Sequence, residues 1–379
     1  MKQSLLVHTL GIFVLSLASM TMGETRQESG LIFSGLSRND LVGLESFDKN
    51  KPAGEQFDFA GANLLTLNLH NANASSAKIE GSVDFWLLTG AYANAYRRID
   101  STSGLLFSQL SSAFIVDVRK VYASLFLPFA DVSIGRQIIS FGQGMVFSPI
   151  DVFSTVNILD LTFRRSGSDV ARVRVPFNDL SGVDAIAKLT AQTKDAAAAI
   201  KGYTHLAGFD IAGIGMYQGV RHEAITGITF KGDIVAGAYG ELVEHWGQGG
   251  KRSFIGMLGA DYSIENTWLF TAEYLYNEKP ETNDSVSQLS IVQTTIPLLH
   301  HHYAFLMTRY KINDIMNISA SAIADISGKS GVGTLQYFYN VLQNADLVVY
   351  TQYYRASSEG MLPLTSDQAT YGLRVEVAF

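Results

Sequence analysis

Six arginines, Arg119, Arg136, Arg164, Arg165, Arg172 and Arg174, lie within residues 119–174 of a chain whose formal net charge is −7. A planar guanidinium stays charged at every accessible pH and grips a carboxylate or phosphate through two parallel hydrogen bonds. Concentrated arginine in an acidic chain therefore has one of two uses. It recognises anions, or it pairs with interior acids such as Glu80, Asp84, Asp117 and Asp151 and braces the fold. The residue types leave both open.

Other reactive side chains form weaker constellations. His300, His301 and His302 are consecutive and have no further ligand at a recognised spacing. They read as the edge of a loop, so no metal is expected and no cofactor is implied. Gly-x-Ser-x-Gly, His-Glu-x-x-His, a phosphate loop and a dinucleotide fingerprint are all absent, and an enzyme is not expected. With 35 acidic against 28 basic residues there is no basic footprint for nucleic acid. The chain has no cysteine, which excludes thiolate chemistry, disulfides and a lipid-anchored cysteine after the export signal.

The first 23 residues read as a secretory signal peptide: Lys2 supplies the positive start, Leu5 to Leu17 a mostly apolar core, and Thr21-Met22-Gly23 the small residues of a cleavage site. Residues 24–30 read as a short flexible lead-in, and 31–379 as one domain. Beyond residue 23 no apolar run reaches the roughly 20 residues of a spanning helix. Yet 47% of the chain is hydrophobic and only 17% charged. Apolar residues dispersed at every second position reconcile these facts, as in a membrane β-barrel.

The closing segment shows the period-two pattern best. Tyr371, Leu373, Val375, Val377 and Phe379 share one face, and Thr370, Gly372, Arg374, Glu376 and Ala378 the other. Trp268, Phe270, Ala272, Tyr274 and Tyr276 oppose Thr271, Glu273 and Asn277 in the same way, as do Ile79, Gly81, Val83 and Phe85 against Lys78, Glu80, Ser82 and Asp84. In Ala171 to Val175, valines facing lipid would turn Arg172 and Arg174 into the lumen.

One stretch carries a family likeness: Gly135-Arg136-Gln137, then Phe141-Gly142-Gln143-Gly144, then Pro149-Ile150-Asp151-Val152-Phe153. It resembles alginate-export-type and related porin-like outer-membrane barrels, most specifically over residues 119–165, although that family usually has Trp where Phe141 stands. The resemblance implies that Gly135, Gln137, Gly142, Gly144, Pro149 and Asp151 belong to a loop that narrows the lumen. Phe379 likewise resembles the C-terminal signature that the barrel-assembly machinery reads in outer-membrane barrels, which places it on the periplasmic side.

Counting back from Phe379, tight turns fall at Gln343-Asn344, Asn313-Asp314, Glu265-Asn266, Gly232-Asp233, Gly208-Phe209, Asn178 to Ser181 and Phe129-Ala130. These would face the periplasm, and the long connections 358–368, 279–300 and 141–167 would face outward. Seventeen strands are reached by Phe57, and residues 31–44 complete an even number. The expected fold is an all-β, transmembrane, antiparallel up-and-down barrel of about 18 strands, with 16 as the alternative.

The expected function is an outer-membrane porin-like channel for small hydrophilic solutes, with arginines biasing it to anions. The alternative is a plugged surface barrel that binds polysaccharide or acts as an adhesin or structural protein. Expected partners are outer-membrane lipids, the assembly machinery, the solute and further copies of the chain.

Overall fold

The computed structural model describes residues 30–50, 52, 55–72, 75–99, 112–154, 156–157, 160–280, 298–357, 360 and 366–379. The signal segment 1–23 and most of the lead-in lie outside the described residues.

Eighteen antiparallel strands follow one another around a closed sheet. They are β1 Leu31–Ser46, β2 Phe57–Asn71, β3 Ala77–Gly90, β4 Ser112–Phe126, β5 Asp131–Gln137 and β6 Ser168–Asn178, then β7 Ser181–Lys188, β8 Ala197–Leu206, β9 Phe209–Gln218, β10 Glu223–Asp233, β11 Gly237–Trp246 and β12 Arg252–Ile264. The last third is β13 Trp268–Asn277, β14 His302–Asn313, β15 Met316–Asp325, β16 Ser330–Leu342, β17 Ala345–Arg355 and β18 Gln368–Ala378. The extra strand expected at 31–44 is β1, two residues longer than anticipated.

Closure depends on the seam between β18 and β1, whose register runs from Leu36 opposite Ala378 to Ser46 opposite Gln368. Two charged cross-strand partners fix it. Arg374 grips Asp40 at 2.6 and 2.8 Å, and Arg38 donates to Glu376 at 2.6 Å. A slip of one residue would turn these buried charges to the apolar outer face, so the seam tolerates a single register. Phe379 completes it by exchanging backbone hydrogen bonds of 2.7 and 3.0 Å with Gly35, and its ring covers the space a side chain at Gly35 would need.

Side chains alternate as anticipated. Trp268, Phe270 and Tyr274 are exposed on the outer face of β13, while Thr271, Glu273, Leu275 and Asn277 are buried facing inward. Ile79 is exposed on β3, whereas Ser82 and Asp84 are buried. The tight connections collect at one end of the barrel. Ala207-Gly208 and Glu265-Asn266 each place two successive residues at positive φ, the geometry of hairpin turns that follow sheet twist. The turn expected at Gly232-Asp233 lies at residues 234–236, because those two residues still pair with β11.

Two features of the opposite end differ from the sequence reading. A helix, α1 (Ala91–Ile99), follows β3 and seats Ala93 and Tyr96 against Ala62, Leu88 and Ala113. The connection 141–167, read from its length as facing outward, turns back into the barrel, in the direction that the family resemblance of Gly135 to Phe153 implied. Its apolar side chains Ile139, Phe141, Val146, Phe147, Ile150 and Phe153 find apolar partners on the inner wall.

Candidate functional site

The inward loop 138–167 begins where β5 stops pairing. Gly135 has φ of +123°, and a side chain there would collide with the Val121 carbonyl of β4, so glycine allows the strand to bend inward without losing its neighbour. Ile139, Phe141, Ile150 and Phe153 then pack against Val170, Ile186, Ile214, Met216, Ile225 and Val243 of the inner wall. Val146 and Phe147 enter a second apolar patch formed by Tyr239, Met257, Leu275, Tyr303 and Phe305. Each such side chain contributes about 1.5–3 kcal/mol through burial.

The polar backbone of the loop is satisfied by carboxylates rather than by secondary structure. Glu241 of β11, fully buried, accepts the N–H groups of Gln143 (2.7 Å), Gly144 (3.1 Å) and Ile150 (3.2 Å) and the Ser148 hydroxyl (3.2 Å). Glu273 of β13 accepts the N–H groups of Met145 (2.5 Å), Val146 (3.1 Å) and Phe147 (2.9 Å) and the Tyr239 hydroxyl (3.0 Å). Asp151 folds the loop on itself, accepting from Phe141 N (2.6 Å), Gly142 N (2.9 Å) and Ser140 Oγ (2.7 Å) and pairing with Arg165. Pro149 occupies the second position of a turn closed by Asp151 N to Ser148 O at 3.1 Å, where its fixed φ is favourable.

Gly144 has the tightest position in this clasp. A methyl group there would overlap the Phe147 carbonyl oxygen and approach Met257 Cε to 2.8 Å. Gly144→Val is expected to destabilise the loop by about 1–3 kcal/mol, the usual magnitude of overpacking. Increased protease cleavage within residues 138–167 of the refolded variant is the check.

The loop's far end crosses to the opposite wall. Asp160 meets Arg38 of β1 at 3.2 Å, and Arg164 reaches Asp84 of β3 at 2.5 Å and lies over the Trp86 ring at 5.9 Å. Burial alone would raise the Asp160 carboxyl, but the charges of Arg38 and Arg374 outweigh it and hold the group below its ordinary value. This contact therefore stabilises the crossing above the ordinary carboxylate range, and the contribution is lost as pH falls through the depressed value. Acidification below about pH 4 should loosen the far end. Asp160→Asn should show the loosened state already at neutral pH, read as faster hydrogen exchange in residues 160–165.

The six arginines are not equivalent. Arg119 sits at a bulge of β4 opposite β3 and approaches Asp84 at 3.8 Å. Arg164 and Arg165 belong to the loop, as described. Arg172 pairs closely with Asp184, whereas Arg174 approaches the same carboxylate only at 4.0 Å and stays 44% exposed. Arg136 differs from expectation: it shares the outer face with exposed Val121 and Ile134 and pairs there with Asp169 at 3.1 Å. It points out because Gln137 and Ser133, joined at 3.0 Å, occupy the inner face of that strand.

Below the loop, toward the short-turn end, Arg172, Arg174 and Lys201 line a polar cavity of about 500 Å³ with Asp179, Asp184, Asp210, Tyr203, Thr204 and Thr229. Lys201 faces Asp184 across the β7–β8 pair and donates to the Phe141 carbonyl at 3.3 Å. Its contribution was not evident in the sequence, where it is one lysine in an alanine-rich segment. Glu241, Glu273 and Asp160 were also missed, because an acid that accepts backbone N–H groups leaves no spacing signature. His300, beside the start of β14, pairs with Asp325 at 2.6 Å, and His301 with the Asn277 carbonyl at 2.8 Å. No group of three or more metal-ligating side chains occurs among the described residues.

A closed eighteen-stranded barrel with one connection folded across its bore is the architecture of an outer-membrane porin. Solved porins of the OprD/Occ group share it. The chain is similar to Pseudomonas aeruginosa OccK5 (OpdH), with 10% identity, coverage of 94% of this chain and 99% of that one, and a TM-score of 0.60. Acinetobacter baumannii OccAB4 gives 9%, 94%, 100% and 0.59, and P. aeruginosa outer membrane protein OprD gives 11%, 94%, 94% and 0.58. At such identities the likeness establishes the fold. No family model and no curated protein matches the sequence.

Proposed function

We propose that this protein is an outer-membrane channel through which small hydrophilic solutes, preferentially anions, diffuse down their gradients. The observation that carries the reading is the cavity beneath the loop, where Arg172, Arg174 and Lys201 gather around Asp184, with Asp179 and Asp210 completing the charged lining. Clustered cations in a low-dielectric wall raise the local anion concentration and supply the donors that carboxylates bind. Arg164 Nη1 and Trp86 Nε1 add buried donors with no protein acceptor. The OprD/Occ fold supports the same reading. Export by residues 1–23, insertion through the assembly machinery acting on Phe379, and association into homo-oligomers belong to this proposal. The alginate-export-type likeness of residues 119–165 bears on the loop's role and does not name a solute.

Purified protein in planar bilayers should give discrete conductance steps and a reversal potential biased to anions. Repeated verified reconstitution without steps would overturn the channel. A second reading, a plugged surface barrel that binds polysaccharide, draws on the loop's crossing from Glu241 and Glu273 to Arg38 and Asp84. It predicts electrical silence together with saturable retention of polysaccharide.

A further inference from the structure

The outer wall over β11–β14 has a vertical order. Tyr262, Trp268, Phe270 and Tyr310 form an exposed aromatic group near the short-turn end, with Trp268 within 4.5 Å of Tyr310 and 5.7 Å of Phe270. Exposed Leu242, Leu258 and Leu306 follow. Trp246, Phe254 and Tyr276 then form a second aromatic group near the long-connection end, on the same outer face. Trp268 and Tyr276 are eight positions apart on β13. At about 3.3 Å per residue and a strand tilt of about 40°, that spacing is about 20 Å, close to the apolar band of a membrane barrel.

Cations sit immediately beyond the second aromatic group. Arg252 is register partner to Trp246, lies over its ring at 3.8 Å and is 63% exposed. Its one ion pair, with Glu244, is at 3.8 Å. Lys251 and Lys279 are exposed beside it, and Lys279 donates to the Arg252 carbonyl. Two acids share the site. Glu244 is only loosely engaged, and Glu278 is occupied by the Phe254 N–H at 2.9 Å. A guanidinium 3.8 Å over an indole, 63% exposed and only loosely engaged by Glu244, with two ammonium groups alongside, is complementary to a phosphate at headgroup depth. The leucines below offer acyl-chain contact on the same face.

We propose that Arg252, Lys251 and Lys279 form a docking site for the phosphorylated headgroup of an anionic lipid, whose acyl chains lie along Leu242 and Leu258. This inference rests on the outer-membrane reading but not on conduction. The Arg136–Asp169 pair, at the rim across the barrel, lacks these properties because its guanidinium is satisfied bidentately.

The test uses the full mature chain in micelles of uncharged detergent, doped with phosphatidylglycerol or with phosphatidylcholine, and follows thermal unfolding by circular dichroism. Phosphatidylglycerol is expected to raise Tm by about 2–4 °C more than phosphatidylcholine, as a few cations near an anionic headgroup supply. Lys251→Gln combined with Arg252→Gln should abolish most of that difference, while Arg136→Gln keeps it and Glu244→Gln enlarges it. An equal response to both lipids, or an unchanged difference in the double variant, overturns the site. Inorganic phosphate giving the same shift would mean an adventitious ion only. Conductance does not enter the readout, so loss of the channel reading would be seen separately.

Discussion

Glu273→Ala is expected to at least double single-channel conductance and to make the open current noisier, with little change in the barrel's β content. Glu273 is the acceptor for three successive backbone N–H groups, Met145 to Phe147, and for the Tyr239 hydroxyl. Each buried donor left without an acceptor costs about 1–3 kcal/mol, more where the acceptor was charged. Three such losses exceed the burial of Val146 and Phe147, so this part of the loop should leave the wall. Glu273→Gln is a sharper version. It preserves volume and one acceptor oxygen but aims an NH2 at N–H groups, and should release the same segment to a smaller extent. Conductance unchanged in both variants, with folding verified by heat-modifiable migration, would show that the loop is held by its apolar contacts alone.

Much of this architecture was legible because a barrel writes its geometry at period two. The alternation around Trp268–Tyr276 and Tyr371–Phe379, and the Asn and Gly at tight turns, determine strand number, face and sidedness. They are local properties. What failed was equally physical. Residues 141–167 carry loop composition, which by itself reads as an outward connection, and only the resemblance of Gly135 to Phe153 pointed inward; composition does not distinguish a loop that projects into solvent from one that folds back. The distinction is made by Glu241 and Glu273, about a hundred positions away, whose carboxylates are indistinguishable in sequence from any lumen-facing acid. Helix α1 was missed because its short run Ala91–Ile99 is stabilised by seating Ala93 and Tyr96 on the wall rather than by a cap or repeat. Arg136 was misplaced because a cluster in sequence was taken as a cluster in space, and β5 turns successive residues to opposite faces.

The largest electrical effect should come from the cations under the loop, and it should depend on which one is removed. Three cations, Arg172, Arg174 and Lys201, line the cavity with three acids, Asp179, Asp184 and Asp210, so selectivity there comes from where the charges sit rather than from their sum. Arg174 and Lys201 are the cations left to a passing ion, because Arg172 makes the close pair with Asp184 while Arg174 reaches it only at 4.0 Å. Two unit charges about 6 Å from a passing ion, in water-like dielectric with partial salt screening, amount to about 0.8–1.4 kcal/mol. Arg174→Gln with Lys201→Gln should therefore lower the anion-to-cation permeability ratio about three- to tenfold, with the greatest loss at low salt. Arg172→Gln alone should do something different. It leaves Asp184 buried without its close partner, so the expected result is lower stability together with reduced anion bias. Asp184→Asn should move selectivity the other way, toward anions, because it removes the acid paired most closely with the cluster. Reversal potentials in a tenfold salt gradient separate the three cases. If the double variant and Asp184→Asn both leave the ratio unchanged, ions do not pass this wall, and the conducting path lies on the Arg119 and Arg164 side of the loop.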